Sequence, residues 1–313
     1  MARRKKGNKV DGWINLDKPL GLSSTQAMAK VRWLLNAQKA GHAGTLDPLA
    51  TGILPIALGE ATKTISYIQD GLKTYSFTVT WGEQRDTDDG EGDVTARSEN
   101  RPSRDQIEAL LPRYTGVILQ TPPQFSAIKI DGQRAYDLAR SGEDVEIEER
   151  EVFIESLNLL AVRDKEADFL MVCGKGTYVR SLARDMGLDL GCFGYISALK
   201  REQVGPFTLE TAISLDKLEK LDDSARLIGS VLLPLETALD DIPALAVRED
   251  EAARLRNGQV LAFISRPDFE RLARVGLDGN GEPREALAVC NHKPVALVEA
   301  KGPDVRPVRI LNL

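Results

Sequence analysis

Gly41-His42-Ala43-Gly44-Thr45-Leu46-Asp47-Pro48-Leu49-Ala50-Thr51-Gly52 places one of only two histidines and a lone aspartate among small and apolar residues. An unpaired carboxylate beside Leu46, Pro48 and Leu49 is costly to bury, so a partner must offset its desolvation. The flanking glycines let the backbone turn sharply and let another large molecule approach. Taken bare, the pattern holds a polar group at a site; the plainer alternative is an Asp-Pro turn ending a loop. The stretch runs on into an apolar segment, Gly52 to Leu58, suited to a buried strand, with a helix expected from Glu60 to Ile68.

Working outward, Trp13 to Leu16 reads as a short strand ending in the Asp17-Lys18-Pro19 turn. Ser23 or Ser24 then caps a helix whose Ala27, Met28, Val31, Leu34 and Leu35 form one stripe. From Thr74 to Trp81 the pattern alternates, with Tyr75, Phe77, Val79 and Trp81 on one face. Ser103 to Leu111 reads as helix. Phe125 to Ile130 reads as strand, closed by an Asp131-Gly132 turn before a helix near Arg134 to Arg140. Two strands lie between Val152 and Cys173 around the charged turn Arg163-Asp164-Lys165-Glu166. Thr177 is placed to cap a helix to about Leu188. Strands and helices mix without strict βαβ alternation, which favours an α+β sheet fold.

A composition change at Asp240-Asp241-Ile242-Pro243 marks a boundary, giving a basic tail (1–9), a main domain (10–240) and a small β-rich unit (243–313). In the last, Glu249 to Arg256 reads as a helix stopped by Asn257-Gly258. Strands are expected at Val260 to Ile264, Ala286 to Val289, Val295 to Val298 and Val305 to Ile310, with a turn at Asp278-Gly279-Asn280-Gly281.

Composition excludes several classes. No apolar run is long enough for a membrane span, and the basic tail lacks the apolar core of a secretion signal, so a cytoplasmic protein is expected. Cys173, Cys192 and Cys290 are too few and scattered for a disulfide framework. With two distant histidines and no Cys-x-x-Cys, a metal site is not expected. Neither a Walker-type loop nor a complete Gly-x-Gly-x-x-Gly occurs, so no nucleotide cofactor is expected. The net charge of −6 argues against a generic polyanion binder. Glu83, Asp86, Asp88, Asp89, Glu91 and Asp93 form one acidic run and Glu143 to Glu151 another; both read as solvated loops or strand edges.

The Gly41–Gly52 stretch resembles the signature of the TruB family, bacterial enzymes that make pseudouridine 55 in the T loop of transfer RNA. Asp17-Lys18-Pro19-Leu20-Gly21-Leu22-Ser23-Ser24 and Gly59-Glu60-Ala61-Thr62-Lys63 are similar to its neighbouring motifs. Pro122-Pro123-Gln124-Phe125-Ser126-Ala127-Ile128-Lys129 and Gly174-Lys175-Gly176-Thr177-Tyr178-Val179-Arg180 continue the likeness in order, over about residues 12 to 210. The resemblance implies the pseudouridine synthase fold, a long mixed, mostly antiparallel sheet flanked by helices with the cleft across one face. It also implies that the tail is a PUA-like RNA-binding domain.

By the same resemblance Asp47 is the catalytic aspartate, as nucleophile or as proton acceptor, and Arg180 its cationic partner. Tyr75 stacks on the flipped uracil, Tyr178 lines the pocket and Leu199 packs against the base. His42 enters the T loop, and Lys18, Lys63 and Lys129 meet the RNA backbone. Local pattern alone reads Arg180 as a solvated helix arginine, and Tyr75 and Leu199 as core. Arg85 stands where the family commonly has threonine, while Thr87 and Asp89 are retained; a local loop change with intact catalysis is expected. The partner implied is the T arm of transfer RNA, bound by a monomer without cofactor or metal. Two other classes stay open: an RNA-binding or RNA-folding module, which would not need Asp47 with Arg180, and a small-molecule lyase or hydrolase, which leaves the His42 motif and the tail unexplained.

Overall fold

The computed structural model describes residues 7–126, 129–130, 133–134, 147–221, 229, 231–277 and 282–313, and for 129–130 and 133–134 the backbone alone. The expected Asp131-Gly132 turn, the Asp278–Gly281 turn, most of the helix near Arg134 to Arg140 and the side chain of Lys129 lie outside the described residues.

The main sheet has ten strands: β1 (Gly12–Lys18), β2 (Ala40–His42), β3 (Ala50–Leu58), β4 (Lys73–Trp81), β5 (Gly116–Gln120), β6 (Arg150–Val162), β7 (Glu166–Cys173), β8 (Gly194–Val204), β9 (Phe207–Thr208) and β10 (Ile213–Ser214). Their spatial order is β10-β1-β3-β8-β4-β7-β6-β5, with β2 paired to β3 and β9 to β8. Only β1–β10 and β3–β8 run parallel. This is the mixed, mostly antiparallel α+β architecture expected.

Strand β4 shows how the pattern builds it. Tyr75, Phe77, Val79 and Trp81 are buried on one face, and Phe77 stacks on Phe169 of β7 at 5.3 Å between centroids. On the other face Thr78 donates to Asp168. Helix α1 (Ser24–Leu34) is closed by a Ser23–Gln26 capping box and buries Ala27 and Val31. Helix α2 (Arg104–Leu110) has the same device at Ser103 and Gln106. Helix α3 (Val179–Asp189) packs Val179, Leu182, Ala183 and Met186 into the core beneath the sheet.

Three expectations need correction. Thr177 does not cap α3: its hydroxyl donates to Gly174 O, and the cap residue is Tyr178, whose N–H donates to the Gln120 side chain. Residues 124–126 bend rather than form strand, with Phe125 O turned to accept from Arg180. The helix read from Glu60 to Ile68 starts as a 3-10 turn, Gly59–Thr64, because Asp11 takes the Glu60 N–H; the α-helix is Ile65–Asp70.

Residues beyond Pro243 form a second sheet: β11 (Ala244–Ala246), β12 (Leu261–Ala262), β13 (Arg284–Cys290), β14 (Lys293–Lys301) and β15 (Asp304–Ile310), ordered β11-β13-β14-β15-β12. Helices α4 (Glu249–Arg256) and α5 (Arg266–Arg274) cover one face, burying Ala286, Ala288, Ala296 and Val298. The alternate residues Leu287 and Leu297, with Leu311, join Trp13, Ile53, Ala57 and Phe207 in one cluster. Lys63 donates to Ile310 O, and Glu60 accepts the Asn312 N–H. The two sheets therefore share a core. Thermal unfolding of the intact chain should be a single cooperative transition, and removing residues after Pro243 should lower the midpoint of the remainder. Two separated calorimetric transitions would contradict this.

Candidate active site

Asp47 sits in the turn between β2 and β3, and its surroundings explain the motif. The Ser24 hydroxyl donates to Leu46 O and accepts from Leu46 N–H, both within 2.9 Å. Gly21 N–H donates to Pro48 O, and Ala50 N–H closes the turn on Asp47 O. Gly44 and Gly52 have φ of +95° and +96°. A Cβ on Gly52 would come within 2.2 Å of the Arg201 carbonyl oxygen, so only glycine fits there. The carboxylate is left partly open, with 36% of its side chain exposed.

Arg180, two residues after the Tyr178 cap in the first turn of α3, is the partner. Its Nε lies 2.9 Å from Asp47 Oδ2 and 3.7 Å from Asp89 Oδ2. The remaining nitrogens donate to Thr87 O and Phe125 O, each at 2.9 Å. Two carboxylates and two carbonyls thus hold a guanidinium whose side chain is only 7% exposed.

The acidic run reads from sequence as solvated loop or strand edge; Asp88 and Asp89 are instead buried. Asp89 faces Arg180 and accepts from the Thr87 hydroxyl at 2.6 Å, while Asp88 pairs with Arg184 at 3.1 Å. The loop is pinned to β8 by Ile196, whose N–H donates to Asp88 O and whose carbonyl accepts from Gly90. Arg85 closes that same loop, pairing with Glu83, donating to Gly92 O and lying over the Tyr195 ring.

The other sequence-derived residues divide. Tyr75 is buried at the start of β4 with its hydroxyl facing Arg201; burial pushes its phenol up, against the opposing Arg201 charge. Tyr178 is held by Gln120, which donates to its carbonyl and accepts its N–H. Burial raises its phenol too, opposed by the Ser126 contact and by Arg180. Both tyrosines feel the Asp47 charge. Leu199 lies in the core cluster, opposite Ala50 and Phe77. His42 is half-buried on β2, and burial with the Arg201 charge holds it below the ordinary imidazole value, neutral at pH 7.

Lys18 is closed off from a phosphate, whereas Lys63 is engaged within the protein and stays partly exposed. Lys18 is fully buried, and its ammonium donates to Pro19, Leu22 and Pro48 carbonyls. Burial lowers it to about 8, although Asp47 pulls the other way. Lys63 is spent on Glu60 and Ile310. Sequence reasoning also missed Gln120 and Arg201, each of which acts on a backbone segment rather than through a motif of its own, and it read Ser24 as a motif residue or helix cap without its hold on Leu46. Among the described residues no group of three or more histidines, cysteines or carboxylates could hold a metal ion. No described helix is long and apolar enough to cross a membrane.

The TruB family pseudouridylate synthase N-terminal domain matches residues 32–179, and the tRNA pseudouridylate synthase B C-terminal domain matches residues 180–240. The chain is 52% identical to tRNA pseudouridine synthase B of Agrobacterium fabrum, covering 99% of this chain and 97% of that protein. It is 55% identical to tRNA pseudouridine synthase B of Brucella anthropi, covering 100% and 99%. Among solved structures, a chain of a Cbf5-Nop10-Gar1 complex superposes with a TM-score of 0.71 at 24% identity, covering 96% of this chain and 84% of that one. A chain of an H/ACA RNP bound to a substrate RNA containing 2'-deoxyuridine gives 0.69 at 22%, covering 100% and 92%. At those identities the likeness is one of fold.

Arg180→Met should destabilise the protein by about 3–5 kcal/mol in urea unfolding, because it strands the buried Asp89 carboxylate. Asp88 gives a pH-dependent test. Burial lifts it to about 6 from 3.8, against the pull of Arg184. The unfolded chain gives up this proton at lower pH, so the ionised form costs stability, a cost that builds from about pH 4 and is complete once pH has risen through about 6. Asp88→Asn mimics the protonated form. Its stability relative to wild type should therefore rise between about pH 4 and 7, by up to about 3 kcal/mol. A difference flat across that range would refute the assignment.

Proposed function

Because the chain belongs to the TruB family of pseudouridylate synthases, an enzyme family that isomerises uridine in transfer RNA, we propose that it converts uridine 55 of the T loop to pseudouridine. The observation that carries this reading is the half-open Asp47 carboxylate fixed 2.9 Å from a buried Arg180, with Tyr75 and Tyr178 close enough to feel its charge.

The isomerisation breaks the bond from N1 of uracil to C1' of ribose, rotates the base and forms the bond from C5 to C1'. The C5 proton then leaves and N1 gains one. Nothing is oxidised, and no group is transferred to a carrier. The step needs an ionised carboxylate beside the ribose and base, as nucleophile or as proton acceptor. Asp47 supplies it, and the Arg180 guanidinium 2.9 Å away holds the carboxylate in place. The target base is flipped out, and Tyr75 returns part of the stacking it loses, about 1–3 kcal/mol. Tyr178 and Leu199 complete the pocket, and neutral His42 enters the opened loop. The catalytic unit spans residues 10–240 and the PUA-like unit 243–313, acting as a cytoplasmic monomer without metal or cofactor.

The test is tritium release from transfer RNA labelled at uracil C5. Wild type should release tritium, and Asp47→Asn should be slower by at least about 10²–10⁴-fold while still binding the RNA. Binding without release by wild type would leave an RNA-binding module and overturn the reading.

A further inference from the structure

Arg201 is among the largest fully buried side chains, yet among the described residues it makes no ion pair. Its donors go to backbone carbonyls: Nε to Ile53 at 2.7 Å, Nη2 to Gly44 at 3.1 Å and Nη1 to Thr45 at 3.4 Å. Two of these acceptors lie two and three residues before Asp47, and the third lies in the buried part of β3. The guanidinium also faces the Tyr75 hydroxyl, since Arg201 and Tyr75 are register partners on β8 and β4. Backbone fit supports the same contact. Arg201 lies beside Gly52 in the parallel β3–β8 pair, and a Cβ on Gly44 would meet Arg201 Nη1 at 3.3 Å. Two motif glycines thus make room for one residue, one for its main chain and one for its side chain.

We propose that Arg201 is a positioning residue, which fixes the Asp47 turn and the Tyr75 ring relative to each other through one buried guanidinium. A carbonyl is a weaker partner than a carboxylate, and an unneutralised buried cation is costly. The arrangement is therefore a poor way to stabilise a core and an effective way to tie three points of one loop to a neighbouring strand. A lysine keeps the charge but has a single nitrogen, which cannot span Ile53, Thr45 and Gly44 together. The role is separate from that of Arg180, which touches Asp47 itself. This inference rests on the reading of Asp47 and Tyr75 as the reacting centre.

The experiment compares wild type, Arg201→Met and Arg201→Lys as full-length proteins. It uses tritium release for kcat and KM, filter binding for RNA affinity, and circular dichroism with thermal melting for folding. Displacement of a reacting group by about 1 Å can cost about 10²-fold, so Arg201→Met should lose about 10–100-fold in kcat. KM and RNA affinity should stay within about threefold, and Arg201→Lys should recover only part of the loss. If Arg201→Met does not fold, Arg201→Lys decides alone: a folded protein at least about fivefold slower in kcat supports the role. Wild-type kcat in a folded Arg201→Lys would overturn it. So would a loss confined to KM or RNA affinity. Failure of wild type itself to release tritium sinks the proposed reaction instead, and so is distinguishable from failure of the positioning role.

Discussion

Arg180 must be dry to serve the Asp47 carboxylate, and everything around it follows from that requirement. A guanidinium out of water needs its donors met, and a carboxylate beside it needs a backbone that cannot drift. The fold answers with parts from four segments: the Asp47 turn, the Thr87–Asp89 loop, the Phe125 bend and helix α3. None of these is a neighbour of another in sequence. The sheet is what brings them together, because β8 carries the Ile196 contacts that seat the acidic loop, and β3 carries the turn.

This division explains what was legible beforehand. Strand β4 could be read because its burial alternates residue by residue, and α1 and α2 because Ser23 and Ser103 carry capping boxes. The pairing of Asp47 with Arg180 could be anticipated because each lies in a continuous family-like motif, although local pattern alone reads Arg180 as a solvated helix arginine. The buried role of Asp88 and Asp89 could not: six acids in eleven residues look solvated until two arginines of α3 are placed over them. Lys18 misled for the mirror reason. Its positive charge reads as a phosphate contact, whereas the ammonium is buried and donates instead to three carbonyls brought together by the turn. Helix α5 was missed although Ser265, Pro267 and Asp268 spell a start signal, since Val260 to Ile264 drew the reading toward strand. Residues that act on carbonyls, such as Gln120 and Arg201, leave no pattern, because any segment of backbone offers the same acceptor.

The electrostatics of the site are those of a few fixed charges at short range. Lys18, Arg180 and Arg201 surround the turn while Asp89 and Asp88 counter them from the loop. With charges so placed, the chain's overall acidity says little about what its cleft attracts; the local field of buried arginines does. His42, held below the ordinary imidazole value by burial and by the Arg201 charge, adds no further charge to this set.

Leu287, Leu297 and Leu311 lie in the same apolar cluster as Trp13 and Phe207, and Lys63 and Glu60 fasten the last strand at its end. Such a seam leaves no hinge between the sheets, since swinging one away would open a packed interior to water. The spacing between the Asp47 cleft and the C-terminal strands is therefore a fixed length built into the protein. A ligand long enough to touch both must match that length or deform to it, and the work of adjustment falls on the ligand.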